Sequence, residues 1–139
     1  MIILDTNVVS EAMRQARDAA LIAWLNGQEA GAIWTTAITV FEIRSGIEFL
    51  PAGRRRDRLA AAFEGFLETD LQRRVVGFDA QAARAAATLA GARRRVGRII
   101  DMPDTLIAGV VLATGATLAT RNARHFSDLP IDLVDPWAG

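Results

Sequence analysis

Short apolar runs alternate along the chain with longer stretches whose apolar positions recur at helical spacing. Ile2, Ile3 and Leu4 form a run with no polar face, the mark of a strand buried on both sides of a parallel sheet, and the run ends at Asp5. "VVSEAMR" and "AALIAWLNG" then carry helical spacing, with Gly27 as a stop, and "AIW" supplies a second strand. Thr36 is placed to cap a helix from Ala37 to about Leu50, which Pro51 ends. "RRRDRLAAAFEGFLETDL" is amphipathic throughout, "RVVGF" reads as a third strand, and "DAQAARAAATLAGARRR" as a helix capped by Asp79. Beyond Gly97, "IIDMPDTLIAGVVLATG" is helical, with Pro103 and acids in its first turn and Gly115 at its close. "ATLAT" and "IDLV" supply the last strands. This alternation predicts an α/β sandwich around a parallel sheet, with ligands expected off the strands' carboxyl ends. No linker, repeat or low-complexity tail divides the chain, so one domain is expected over residues 1–139.

Composition narrows the chemistry more than it narrows the fold. The sequence has no cysteine and a single histidine, which excludes disulfides, thiolate catalysis and the usual Cys- or multi-His metal sites. Any metal must be held by oxygen. All 16 basic residues are arginine, so mechanisms that need a lysine amine, the P-loop among them, are excluded. Sixteen acids balance them to a formal charge of zero, which argues against a uniformly basic nucleic-acid surface while leaving room for local arginine patches. No window approaches the roughly 18 uninterrupted apolar residues of a membrane span, and "MIILDTN" lacks the basic start of a signal peptide. A cytoplasmic protein with no membrane partner is expected.

With so many acids, most are surface charge, and three stand apart. Asp5 directly follows a buried strand, where a parallel sheet points its last residues into the binding crevice; the bland alternative is a helix cap, which Thr6 or Asn7 could supply instead. Glu42 lies within "AITVFEIRSGIEFL", and at roughly 100° per residue its same-face neighbours are Ile38, Thr39, Ser45, Gly46 and Phe49, with no basic partner one turn away. Arg44 and Glu48, by contrast, can pair across one turn. Asp104 sits three residues after Asp101 in the first turn of "DMPDTLIAG", where Asp101 as N-cap and Asp104 at the third position satisfy backbone donors and complement the helix dipole. A first-turn carboxylate at the sheet edge can do this and still face a metal. Carboxylates gathered from a strand end and helix starts or faces repel one another unless a cation sits among them. Mg²⁺ or Mn²⁺, held by a few carboxylates and several waters, supplies phosphodiester chemistry that needs no Lys, Cys or His.

At "ILDTN", "ITVFEIRSG", "DTLIAG" and "LATRNARHF…DPW" the sequence resembles the PIN-domain ribonucleases, most closely the VapC and FitB-like toxins of bacterial type II toxin-antitoxin modules. The four motifs occur in family order from Ile2 to Trp137. The resemblance implies a PIN-like three-layer sandwich with a central parallel sheet of about five strands, a homodimer, and endonucleolytic cleavage of RNA dependent on Mg²⁺ or Mn²⁺. It also implies a cognate antitoxin whose C-terminal segment occupies the active-site groove. Matched by motif position, Asp5, Glu42 and Asp104 are the acids. The resemblance implies that Asp5 and Asp104 are the principal metal ligands, directly or through water, and that Glu42 completes the negative pocket, one of the acids or a metal-bound hydroxide deprotonating the attacking water. Thr6, Asn7 and Thr120 match polar residues that orient those acids. The chain departs from the pattern where relatives often carry a fourth acid: those two places hold Asn122, able to offer a neutral oxygen, and His125.

The remaining features have plainer readings. Arg54–Arg58 reads as a solvated helix face balanced by Asp57, Glu64 and Glu68, whereas the run from Arg93 to Arg98 suits either a solvated face or RNA phosphate contact. Trp24 and Trp34 suit the core, and Trp137 can anchor the C-terminus. The apolar side of "LAAAFEGFL" suits core packing as well as it suits antitoxin or dimer contacts. His125 is expected to be structural or peripheral. Two competing functions follow: a PIN-like binding module without catalysis, which the missing fourth acid favours, and an Asp-dependent phosphohydrolase. The second fits poorly, because receivers need a Lys and haloacid-dehalogenase-like enzymes need a second Asp where Asn7 stands.

Overall fold

The structure, a computed structural model, describes residues 1–99 and 101–138. Five strands, β1 (Ile2–Leu4), β2 (Ile33–Thr36), β3 (Val75–Val76), β4 (Thr117–Ala119) and β5 (Leu133–Val134), form one sheet in the order β3-β2-β1-β4-β5, and every pairing is parallel. Six α-helices connect and cover them: α1 (Thr6–Ala12), α2 (Ala19–Asn26), α3 (Ala37–Glu48), α4 (Arg54–Gly65), α5 (Ala80–Arg95) and α6 (Met102–Thr114).

The strands are short, so their alternation divides the interior cleanly. Leu4 and Ala119 face a core with Val8, Val9, Leu21, Ile43, Ile47 and Phe63, beneath α1 to α4. Ile3 and Leu118 point the other way, to Leu89, Ile107, Val110, Val111 and Phe126, beneath α5 and α6. Three layers result, because an all-parallel sheet must be covered on both faces. Trp24 and Trp137 pack against the first core and Trp34 against the second, its Nε1 donating to Gly31 O at 3.0 Å. Phe63 and Phe66 of the "LAAAFEGFL" stretch are buried in the first core, so packing accounts for that side.

Element ends follow their caps. Thr36 accepts from Thr39 N at the start of α3, Asp79 from Ala82 N at the start of α5, and Asp101 from Asp104 N at the start of α6; Gly115 closes α6 with φ 70°. The cap of α1 is Asp5 itself, through Val8 N at 2.9 Å, and neither Thr6 nor Asn7. The long amphipathic stretch is α4 only to Gly65; a π-helical turn over Phe66–Asp70 follows, and Gln72 and Arg73 adopt positive φ before β3. That strand is limited to Val75–Val76 at the sheet edge. A 3₁₀ turn, Ala123–Phe126, interrupts the path from β4 to β5 and had no counterpart in the periodicity. The stretch expected to be helical from Ile99 is α6 only from Met102, because Asp101 caps the helix in an extended conformation; Ile100, within that stretch, lies outside the described residues.

Candidate active site

Strand order reverses between β1 and β4. Chain connections leave β1 toward β2 on one side and reach β4 on the other, so the crevice at their carboxyl ends is the place where such sheets bind ligands. Asp5 and Thr120 are the first residues beyond those two strands, and the strand ends are tied together there by Asp5 N donating to Ala119 O at 3.1 Å.

Asp5 is 3% exposed. Burial raises its pKa above the usual aspartate value, the Thr120 hydroxyl and Val8 N–H draw it back, and the charge of Asp104 pushes it up again. Glu42 enters from α3 and Asp104 from the first turn of α6, both half-buried. Desolvation is the largest influence on each and raises both. Thr6 lowers Glu42 while Asp104, Asp101 and Asp5 raise it; His125 lowers Asp104 while Asp101 raises it. The three acids predicted from sequence therefore sense one another's charge although they come from three elements. Asp101 is exposed and spends its carboxylate on the α6 cap.

A chain of hydroxyls fixes Glu42. Thr6 Oγ1 donates to Glu42 Oε1 at 2.6 Å; with that proton committed, its 3.1 Å contact with Thr39 Oγ1 must be donated by Thr39, which in turn can accept from Thr36 Oγ1 at 3.4 Å. Thr36 and Thr39 are fully buried, so each proton is directed toward the carboxylate. Local spacing marks Thr36 only as a cap and Thr39 only as a face neighbour of Glu42; their part in the hydroxyl chain depends on α1 packing across α3, which no local spacing reports.

The other sequence-selected residues are placed differently. The backbone N–H of Asn7 offsets a little of the rise in the pKa of Asp5, while its side chain is exposed and makes no hydrogen bond among the described residues. Asn122 uses its backbone, N donating to Thr120 Oγ1 at 2.9 Å and O accepting from His125 N at 3.0 Å. His125 is not peripheral: its Nδ1 lies 3.0 Å from Asp104 Oδ2. The 3₁₀ turn carries it back onto α6. Arg44 pairs with Glu64, across to α4, instead of with Glu48, and Glu68 pairs with Arg73, so neither Glu64 nor Glu68 pairs with the Arg54–Arg58 run, in which Arg54, Arg55 and Arg58 are exposed. In the Arg93–Arg98 run, Arg93 is buried and bonded to Asp128, and Arg98 donates to Arg124 O at 2.7 Å; Arg94 and Arg95 stay exposed.

The donor set suits a hard cation. Three carboxylates with raised pKa values and mutual repulsion are what a divalent ion would relieve, and oxygen is the only donor atom they offer. Among the described residues no three acidic or imidazole side chains converge on one point as an all-protein cage would require. Each of the three carboxylates could offer oxygen to such an ion, with water completing its sphere. Beside the acids a groove of about 420 Å³, floored by Met13, Ile47 and Leu59, passes Thr6 and Glu42. Sharing Met13, Arg14 and Leu59 with it is a wider cleft of about 820 Å³ that adds Arg17, Arg55 and Arg58.

Fold and side chains together define a small parallel α/β protein with a buried aspartate, Asp5, at its switch point and Glu42 and Asp104 within reach of its charge. The PIN domain family model matches residues 2–131, and the chain belongs to that family. It is 37% identical over 137 residues to the VapC ribonuclease Y4jK of Sinorhizobium fredii, covering 99% of this chain and 98% of that protein. It is 30% identical over 137 residues to Toxin FitB of Neisseria gonorrhoeae, covering 99% of each. The solved structure of FitAcB from Neisseria gonorrhoeae matches 99% of both chains with a TM-score of 0.85 at 30% identity. No described helix is long and apolar enough to cross a membrane.

Proposed function

We propose that this chain is a metal-dependent endoribonuclease and the toxin of a toxin–antitoxin pair, with Mg²⁺ as its ion and Mn²⁺ able to substitute. The observation that carries the reading is the meeting of Asp5, Glu42 and Asp104 in one electrostatic environment at the sheet's switch point. The relatives' names, a ribonuclease and a toxin, support the substrate class and the role. Asp5 and Asp104 hold the ion, and Glu42 completes the pocket. When bound, a divalent ion supplies Lewis acidity toward water and toward phosphate oxygen. The chain's own residues do the rest. Asp5 is held by Val8 N–H and Thr120, and Glu42 by the threonine chain, so their free oxygens keep fixed directions without reorganisation. Burial that raises the pKa of an acid makes it a better acceptor for the proton of the attacking water.

The partners are RNA, a second copy of the chain and a cognate antitoxin. The groove beside Glu42 suits an antitoxin segment with apolar side chains, and the arginines of the adjoining cleft suit acidic ones. The absence of an acid at Asn122 and His125 favours one alternative, a PIN-like module that binds without cleaving. Total RNA incubated with the antitoxin-free protein in Mg²⁺ or Mn²⁺ separates the two. Cleavage that EDTA abolishes is expected. Metal binding with no cleavage at any metal concentration would establish the binding module, and cleavage indifferent to EDTA would refute the metal-dependent mechanism.

A further inference from the structure

Among the described residues Arg93 is the one buried arginine, with 3% of its surface exposed, and all three nitrogens of its guanidinium donate hydrogen bonds. Nε and Nη2 grip Asp128 at 2.9 and 3.0 Å, Nη2 also donates to His125 O at 2.7 Å, and Nη1 reaches Thr105 Oγ1 at 3.3 Å. Thr105 follows Asp104 in the chain and is itself bound to Asp101 O at 2.7 Å. One rigid fork from the end of α5 thus touches the backbone of His125 and the neighbour of Asp104 together. Arg98 adds a second tie by donating to Arg124 O at 2.7 Å. The segment from Arg124 to Asp128 is thereby bolted across the start of α6, and the imidazole of His125 arrives 3.0 Å from Asp104 Oδ2.

We propose that His125 is a positioning residue for Asp104, and that Arg93 holds His125 in that role. A carboxylate only accepts, so in this contact Nδ1 carries the proton. Oδ2 is thereby occupied and Oδ1 left as the oxygen free to bind. A bare contact to a histidine whose side chain is 55% exposed would hold little on its own. The backbone clamp removes that weakness, because the turn presenting the ring cannot drift while Arg93 remains paired. Groups that orient a metal-binding side chain in this way typically change metal affinity about 10–100-fold when removed. Sequence alone assigned neither residue: His125 stood in place of a missing acid, and Arg93 stood inside an arginine run. The inference rests on the proposed reading of Asp104 as a metal ligand.

Calorimetric titration of Mn²⁺ into the full chain tests it, with thermal unfolding alongside to verify folding. His125→Ala is expected to weaken Mn²⁺ binding about 10–100-fold. His125→Asn, whose amide nitrogen lies near the Nδ1 position, is expected to restore most of that loss, and His125→Gln, which mimics Nε2, to restore little. In RNA cleavage the same series lowers kcat and leaves KM near the wild-type value. Arg93→Met weakens Mn²⁺ binding as His125→Ala does, and the double variant loses no more than either single one. Because Arg93→Met also removes a buried clamp and lowers stability, the His125 series decides the matter alone. Wild-type affinity in His125→Ala, or equal rescue by Asn and Gln, would overturn the positioning role while Asp104→Asn still loses Mn²⁺. Unchanged affinity in Asp104→Asn would overturn the ligand assignment itself.

Discussion

An aspartate with 3% exposure beside two other acids is a cost to the fold, and the sign of that cost can be worked out. Asp5, Glu42 and Asp104 all have folded pKa values above their ordinary values of 3.8, 4.5 and 3.8. From those values up to the raised ones the folded chain holds protons that the unfolded chain has lost, so metal-free stability falls as pH rises through that window and stays lowered above it. Asp5→Asn keeps the α1 cap, since an amide oxygen can accept from Val8 N, and removes the ionisation. Thermal unfolding in EDTA is expected to show this variant melting above wild type at pH 7 and close to it near pH 4; a lower melting temperature at pH 7 would contradict the desolvation argument. Asp128 behaves oppositely. Its hydrogen bonds with Arg93 hold its pKa below 3.8, so its contribution is fully present above 3.8 and is lost as pH falls through the lowered value. Asp128→Asn strands a buried guanidinium and is expected to cost about 3 kcal/mol in denaturant unfolding. Arg93→Met leaves only a carboxylate that water and Arg98 can reach, and is expected to cost less.

Helix pairing sets where these residues stand, and α5 against α6 is its tightest instance. A Cβ on Gly109 would lie 2.6 Å from Ala82 O and 2.7 Å from Ala86 Cβ, so the two helices meet backbone to backbone there. Alanine has the better helix propensity, by about 1 kcal/mol, yet the clash with a carbonyl that cannot rotate away outweighs it. Gly109→Ala is expected to destabilise by about 1–3 kcal/mol in urea titration. It should also weaken Mn²⁺ binding, because α6 carries Asp104 and α5 carries Arg93. Elements with strong periodicity and side-chain caps, such as α3, α5 and α6, were legible in sequence nearly to the residue. The π-helical turn and the 3₁₀ turn were not, since each depends on where a neighbouring element allows the chain to go. The same division runs through the site. Asp5 and Glu42 could be chosen because each stands where a solvated charge is out of place, and Asp104 because its first turn opens at the sheet edge, whereas Thr39 beside Thr6 and His125 against Asp104 are contacts across 33 and 21 residues of chain that only packing creates.

For the whole molecule, the topology places the buried Asp5 at the switch point of a parallel sheet whose core is built on both faces. The proposed ion then acts as a missing partner for charges the fold has already assembled. Its binding is expected to raise the melting temperature in proportion to RT ln(1 + [L]/Kd), about 2.7 kcal/mol at a hundredfold excess over Kd. Asp5→Asn is expected to respond little to added Mg²⁺ or Mn²⁺ in the same scan. On the proposed reading, stability and function pull Asp5 in opposite directions. The most direct measurement is the single-turnover cleavage rate of a susceptible RNA in Mg²⁺ by folded Asp5→Asn protein beside wild type. A loss of roughly a hundredfold or more, the scale on which metal-ligand and transition-state contacts act, is expected in a protein that without metal melts higher than wild type. Cleavage at the wild-type rate by that folded variant would contradict the account.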